Sequence, residues 1–171
     1  MSKKCDNKSV GMRFEKDGRI LMIERKKYNP GWALPAGHRD GFSPEETAIK
    51  ESSEEVGFVP VRIEKLYEAT LPHTCSRDGG THHEWHVFDV PEWLGELKIE
   101  PTEIKKAEWK DKNEIAALAK KLEDFVFGYG LSLTLNDLPE IVRKTNEDEA
   151  WQKSPGLEPP MYFIFKELGI I

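Results

Sequence analysis

This chain is poor in sulfur chemistry: Cys5 and Cys75 are its only cysteines among 171 residues. Two thiols build no disulfide framework and suit a reducing compartment, so a cytoplasmic location is expected. Long apolar runs are also missing, and no stretch approaches the ~20 residues a spanning helix needs. The leading Met1-Ser2-Lys3-Lys4 opens onto polar residues, unlike the apolar core of a signal peptide. Positive charge is in deficit, with 25 Lys and Arg against 31 Asp and Glu, for a formal net charge of −6. That balance disfavours non-specific nucleic-acid binding, so neither a nucleic-acid nor a membrane partner is expected. Internal repeats and low-complexity tracts are absent too, and the length suits one domain with a real core.

What the chain does have is a dense acidic stretch. From Trp32 to Phe58 it reads W-A-L-P-A-G-H-R-D-G-F-S-P-E-E-T-A-I-K-E-S-S-E-E-V-G-F. Ser43 can be an N-cap, Pro44 the first helical residue and Glu46 the third, which completes a capping box. Gly57 can take the left-handed stop conformation. These signals predict a helix over Pro44–Val56. Within it Glu51, Glu54 and Glu55 stand at i, i+3 and i+4 and share a face. Ala48, Ile49, Ser52 and Val56 form an adjoining face that can pack on a sheet. Ion pairs from Lys50 to Glu46 and Glu54 relieve only part of the repulsion. A divalent cation would relieve the rest, because Mg²⁺ takes hard oxygen ligands. On spacing alone, a solvated acidic face accounts for the same residues.

The stretch resembles a Nudix box, whose family pattern is G-x5-E-x7-R-E-U-x-E-E-x-G-U, with U a bulky aliphatic. Gly37, Glu51, Glu54, Glu55, Gly57 and, loosely, Phe58 match it. The lead-in Trp32-Ala33-Leu34-Pro35-Ala36-Gly37-His38 is similar to the family's W-x-L-P-G-G-H. With its flanks the resemblance covers roughly Val10 to Leu118. There are departures: Lys50 stands for Arg, Ser52 for an aliphatic and Ala36 for the first Gly of a pair. Phe42 holds the place of the first Glu, and the loop from Gly37 to Phe42 is one residue short. The missing Glu and the Arg-to-Lys change fall where the family braces this loop against the helix.

The resemblance implies an α+β fold, a Nudix-like α/β/α sandwich with a mixed β-sheet. It implies a pyrophosphohydrolase that cleaves the diphosphate of a nucleoside diphosphate linked to X, with Mg²⁺ or Mn²⁺ as cofactor and a small nucleotide as substrate. By position in the box, Glu51 and Glu55 are the leading metal ligands, Glu54 a third and the backbone carbonyl of Ala36 a fourth. Glu54, Glu55 and Glu103 are the candidate catalytic carboxylates. Glu103 lies six before Trp109, in the loop preceding the last strand, and Glu100 is its alternative. Arg25, Gly37 and His38 are candidate substrate contacts; Arg25 ends a strand where similar proteins present Arg to phosphate, and Arg suits bidentate phosphate contact. A surface ion pair with Glu24 or another carboxylate is the plainer role for Arg25. The departures also motivate a second expectation, a nucleotide-binding module of this fold that is catalytically weak or inactive.

Elsewhere, strands are predicted at Lys8–Phe14 and Arg19–Arg25 around a Lys16-Asp17-Gly18 turn. A second hairpin joins Val59–Thr70 to Glu84–Val90, with the turn at Ser76–Gly80 and a connection over Pro91–Pro101. A short strand at Ala107–Lys110 precedes a helix over Asn113–Leu122 capped by Asn113. Residues 1–122 would form the Nudix-like domain. Residues 123–171 would be a C-terminal extension, docked on the domain or across a homodimer, with helical character at Asp137–Arg143 and an apolar stretch at Met161–Leu168. Pro155-Gly156 and Pro159-Pro160 would interrupt it.

His73, Cys75, His82, His83 and His86 fall on or near the second hairpin. Their spacing matches no compact zinc pattern, and a strand would set His82 and His86 about 13 Å apart. They read as ordinary hairpin histidines, or as one substrate contact or proton carrier near the tip. Trp32, Phe42 and Trp85 could stack on a base or simply pack.

Overall fold

The computed structural model describes residues 3–171; Met1 and Ser2, and with them the start of the leading segment read above, lie outside the described residues. The chain runs β1 (Lys8–Arg13), β2 (Glu15–Lys16), β3 (Arg19–Arg25), β4 (Trp32–Ala33), β5 (Ala36–His38), α1 (Pro44–Val56), β6 (Val59–Leu71), β7 (His83–Leu94), β8 (Ile104–Lys110), α2 (Lys112–Gly128), α3 (Leu138–Glu147), α4 (Glu149–Lys153) and α5 (Pro159–Glu167). Two four-stranded sheets result. One has the order β5-β1-β7-β6 and is mixed, because β1 runs parallel to β7 while the other pairs are antiparallel. The other joins β2, β3 and β4, with β8 on β3, all antiparallel.

Alternation along β3 explains the layering. Leu21 and Ile23 enter a core with Val10, Met12, Ala48 and Val56, beneath α1. Ile20 and Met22 enter the opposite core with Ile115, Leu122, Met161 and Phe165 from α2 and α5. Successive strand residues face opposite sides, so a strand buried on both faces needs apolar side chains at every position. The result is helix, sheet layer and helix, the α+β sandwich that the resemblance implies.

Helix α1 has the predicted ends. Glu46 N–H donates to Ser43 Oγ, Ser43 N–H donates to the Glu46 carboxylate, and Gly57 closes the helix at φ 76°. Its buried face is Thr47, Ala48, Ser52, Glu55 and Val56. Ile49, expected there, is 44% exposed. Ser52 fits the core because its hydroxyl bonds back to Ala48 O at 2.7 Å.

Other predicted bounds shift. The cap of α2 is Asp111, not Asn113, because Asp111 and Glu114 form a reciprocal box. That helix runs on to Gly128, through residue 122. Strand β7 continues past Pro91 to Leu94 against β6, where register shifts accommodate the ladder. Pro159-Pro160 begins α5, where proline's missing N–H costs nothing.

Residues beyond α2 pack on their own chain. Trp32 N–H donates to Gly156 O and Glu158 N–H to Trp32 O, forming a bridge between Trp32 and Leu157. Trp151 Nε1 donates to Pro30 O at 2.7 Å, and Asn146 pairs with Asn29. Among the described residues, no helix is long and apolar enough to cross a membrane.

Candidate active site

A cleft of about 480 Å³ opens between the start of β5, the acidic face of α1, the loop before β8 and the loop before β7. The helix sets a gradient of exposure across its three carboxylates. The side chain of Glu54 is 57% exposed, that of Glu51 15% and that of Glu55 4%.

Glu55 is fixed from two directions. Ala36 N–H donates to its Oε2 at 2.8 Å, and Arg25 Nη1 stands 3.9 Å from its Oε1. Burial pushes the Glu55 carboxyl up to about 8; Arg25 opposes that shift and Glu51 adds to it. Glu51 is also raised, by burial first, with Lys50 opposing. It is pressed against the loop: a Cβ added at Gly37 would lie 2.3 Å from Glu51 Cδ. Only glycine lets the β5 backbone come this close to the carboxylate. Lys50 reaches Glu51 and Glu54 at 3.5 and 3.3 Å, rather than the Glu46 expected from spacing, because Glu46 is committed to the cap.

Glu103 and Glu100 line the far side of the cleft. The Glu100 carboxylate closes its own turn, accepting from the backbone N–H of Thr102 and Glu103 at 3.0 and 3.1 Å. Glu103 adds negative charge felt by both Glu51 and Glu55. Ala36, Gly37 and His38 also line the cleft. His38 turns its Nε2 to within 3.6 Å of Cys5 Sγ, and burial, Arg77 and His83 lower it to about 4.

Arg25, at the end of β3, lines the same cleft and is at the same time tied into a buried ion pair. Its Nε donates to Glu158 Oε2 at 2.8 Å, and Glu158 itself is buried. Burial works to lower the Arg25 pKa, but Glu158 and Glu55 outweigh it and keep the guanidinium charged. Glu158 carries no signal in the sequence: it is one acid in a proline-rich stretch, 133 positions from its partner. Lys3, Lys27 and Arg77 bring positive charge to the same cleft. Arg77 clasps Asp40 through both terminal nitrogens, and Asp40 N–H donates to Asp6 Oδ2 at 2.8 Å. Those contacts hold the short loop whose bracing Glu is absent.

Two of the three candidate stacking aromatics are in the core. Trp85 is buried and donates to His73 Nε2, and Trp32 is buried under the ammonium groups of Lys106 and Lys110. Phe42 is exposed, with Lys50 over its ring. Tyr28, not singled out by sequence, stands partly exposed at the cleft.

The donor set suits a hard divalent cation. Glu55 presents a carboxylate already positioned by the Ala36 N–H, Glu51 packs beside it against Gly37, and burial without full compensation leaves Glu55 short of positive charge.

The NUDIX domain family model matches residues 8–127. The chain is 37% identical over 90 residues to a Mycobacterium tuberculosis protein named "Putative 8-oxo-dGTP diphosphatase 3", across 51% of this chain and 40% of that protein. It thus spans well under half the length of that curated relative. A MutT NUDIX hydrolase from Burkholderia pseudomallei superposes with a TM-score of 0.56 at 27% identity, covering 63% of this chain and 84% of the other. Two more distant structures share the fold: a MutT protein from Methanosarcina mazei Go1 and the NUDIX domain of Shewanella oneidensis NrtR complexed with ADP ribose. Their TM-scores are 0.55 and 0.52, at 20% and 17% identity, each over 68% of this chain and over 85% and 79% of theirs.

Proposed function

Because the chain belongs to the NUDIX family, we propose that it is a pyrophosphohydrolase that splits the diphosphate of a nucleoside diphosphate linked to X, using Mg²⁺ or Mn²⁺. The observation that carries this reading is the pair of recessed carboxylates at the floor of a cleft, Glu51 packed against Gly37 and Glu55 bonded to the Ala36 N–H. The diphosphatase name of the 37% identical relative favours a nucleoside triphosphate, in which X is a phosphate.

Diphosphate hydrolysis is mainly positioning and charge neutralisation, with water as the nucleophile. A bound divalent cation supplies neutralisation of the phosphate oxygens and activation of water. Glu51 and Glu55 would hold it, with the Ala36 carbonyl alongside and Glu54 at the exposed edge. Because the Ala36 N–H already holds Glu55 and Glu51 is packed against Gly37, little reorganisation would accompany binding. Glu103, which lines the far side of the cleft, would take a proton from the attacking water. Beyond burial, the charges of Glu51 and Glu103 both push the Glu55 carboxyl up, so base strength belongs to the set rather than to one member. Lys27 and Lys3 at the mouth meet the remaining phosphate charge, and Tyr28 offers a ring face to the base. Residues 1–122 would carry the reaction, and the extension 123–171 would shape its floor through Glu158.

A second reading is a nucleotide-binding module that has lost hydrolysis. Phe42, exposed where a carboxylate would brace the loop, favours it. A nucleotide panel with Mg²⁺ or Mn²⁺, resolved by chromatography, separates the two. Hydrolysis of a nucleoside triphosphate, reduced on the order of a hundredfold or more in Glu51→Gln with the fold retained, is the expected result. Thermal stabilisation by nucleotide without any product would establish the binding module instead.

A further inference from the structure

Four side chains from four separate segments meet beside β5: Cys5 before β1, His38 at the end of β5, Cys75 in the loop between β6 and β7, and His83 at the start of β7. Their ligand atoms all lie within 4.8 Å of one another. We propose that Cys5, His38, Cys75 and His83 form a structural zinc site, distinct from the carboxylate site on α1.

The distances fit that ion. In a tetrahedral centre with Zn–S of about 2.3 Å and Zn–N of about 2.0–2.1 Å, sulfur and nitrogen ligands stand about 3.6 Å apart. Cys5 Sγ lies 3.4 Å from His83 Nε2 and 3.6 Å from His38 Nε2. The imidazole of His83 is oriented for ligation. Its Nδ1 lies 3.0 Å from the carbonyl of His73, which can only accept, so the proton sits on Nδ1 and the Nε2 lone pair faces the cluster. A ligating histidine that donates its other N–H to a carbonyl is the usual outer support of a metal site. His73 itself is excluded as a ligand, since its Nε2 accepts from Trp85 Nε1 at 2.9 Å.

Both sulfurs are set up alike. Asn7 N–H donates to Cys5 Sγ at 3.3 Å and Arg77 N–H to Cys75 Sγ at 3.4 Å, each from two residues downstream. Such N–H···S contacts are outer support that a metal-bound sulfur can use. The loop closes over them at Gly80, where an added Cβ would lie 3.2 Å from Cys75 Sγ and 3.3 Å from Cys5 Sγ. Soft thiolate and imidazole donors select zinc over the Mg²⁺ or Mn²⁺ suited to Glu51 and Glu55. Coordination releases the two thiol protons to solvent, with no change of oxidation state. Its effect is to tie the segment before β1 and the hairpin loop to β5, one residue from Gly37.

The test uses the full chain, purified under reducing conditions. About one zinc per chain is expected, and X-ray absorption of the bound ion should show two sulfur and two nitrogen ligands. Replacing zinc by Co²⁺ should give a thiolate-to-metal charge-transfer band and the visible bands of a tetrahedral site. That band should persist in the Glu51→Gln, Glu55→Gln double variant. It should vanish, with zinc affinity at least about a hundredfold weaker, in Cys5→Ser and in His83→Gln. An all-oxygen or six-coordinate environment, a band that survives Cys5→Ser, or recovery of Cys5 and Cys75 as a disulfide in freshly purified chain would overturn the assignment. The absorption measurement on the unaltered chain decides the matter even if a variant does not fold.

Discussion

The carboxylate ridge of α1 and the sulfur–imidazole cluster beside it are built in opposite ways. Glu51, Glu54 and Glu55 come from one helix, within five residues, and the helical repeat alone aligns them. Cys5, His38, Cys75 and His83 come from four segments up to 78 positions apart, and the pairing of β1 with β7, of β5 with β1 and of β6 with β7 brings them together. The ridge is hard and negatively charged, with Glu55 buried, Glu51 half-buried and Glu54 exposed. The cluster is soft, and each sulfur is met by a backbone amide. The two meet at Gly37 and His38, adjacent residues of β5: Gly37 lies against Glu51, and His38 lines the cleft while turning its Nε2 to Cys5.

The sharpest way to break this contrast is at Arg25. In Arg25→Met, Glu55 and Glu158 lose their shared cation and remain buried. Removing one partner of a buried ion pair costs about 3–5 kcal/mol. Chemical denaturation in chelator should show that loss, while the cobalt spectrum of the sulfur cluster should stay unchanged.

Next comes Gly37→Ala, which presses on the carboxylate side of the shared strand. Its Cβ would fall where Glu51 Cδ already sits, so about 1–3 kcal/mol of overpacking is expected. The metal concentration giving half-maximal activation should rise, which titration with Mg²⁺ would read. An unaltered midpoint would show that Glu51 is not held by this strand.

The smallest effect is the pH dependence of the chelated protein. The Glu55 carboxyl is raised to about 8 from an ordinary value of 4.5. Between those values the folded state holds a proton the unfolded state has released. Stability is therefore full below about pH 4.5 and declines as pH rises toward about 8. Glu51 and Glu158, also raised by burial, act in the same sense. Thermal melts across that window should show the decline, saturating Mg²⁺ should reduce it, and Glu55→Gln should flatten it.

The same contrast governs what could be read in advance. Helix α1 was legible to the residue because its cap, its proline and its terminal glycine lie within the helix or beside it. The strands and turns were legible from alternation, and the box residues from their spacing, but the first hairpin was not: only Glu15–Lys16 turns back on β3, while β1, expected as its arm, lies in the other sheet between β5 and β7. The cap of α2 was misplaced by two because Asp111 and Asn113 are both competent caps, and the reciprocal Glu114 selects Asp111. The histidines of the second hairpin offered no compact pattern because two of the four cluster members lie elsewhere in the chain. Likewise, the hold of Glu158 on Arg25 depends on a bridge between Trp32 and Leu157 that no local periodicity announces.

That bridge also decides what a trimmed form of this molecule would be. Ending the chain at the last residue of the family match would strip α3, α4 and α5 from Met22, Trp32 and Leu34. It would also leave Arg25 with Glu55 as its one close carboxylate. The fragment would have a sticky flank and a more cationic cleft floor, so it would misreport both the solubility of the whole protein and its taste for cations.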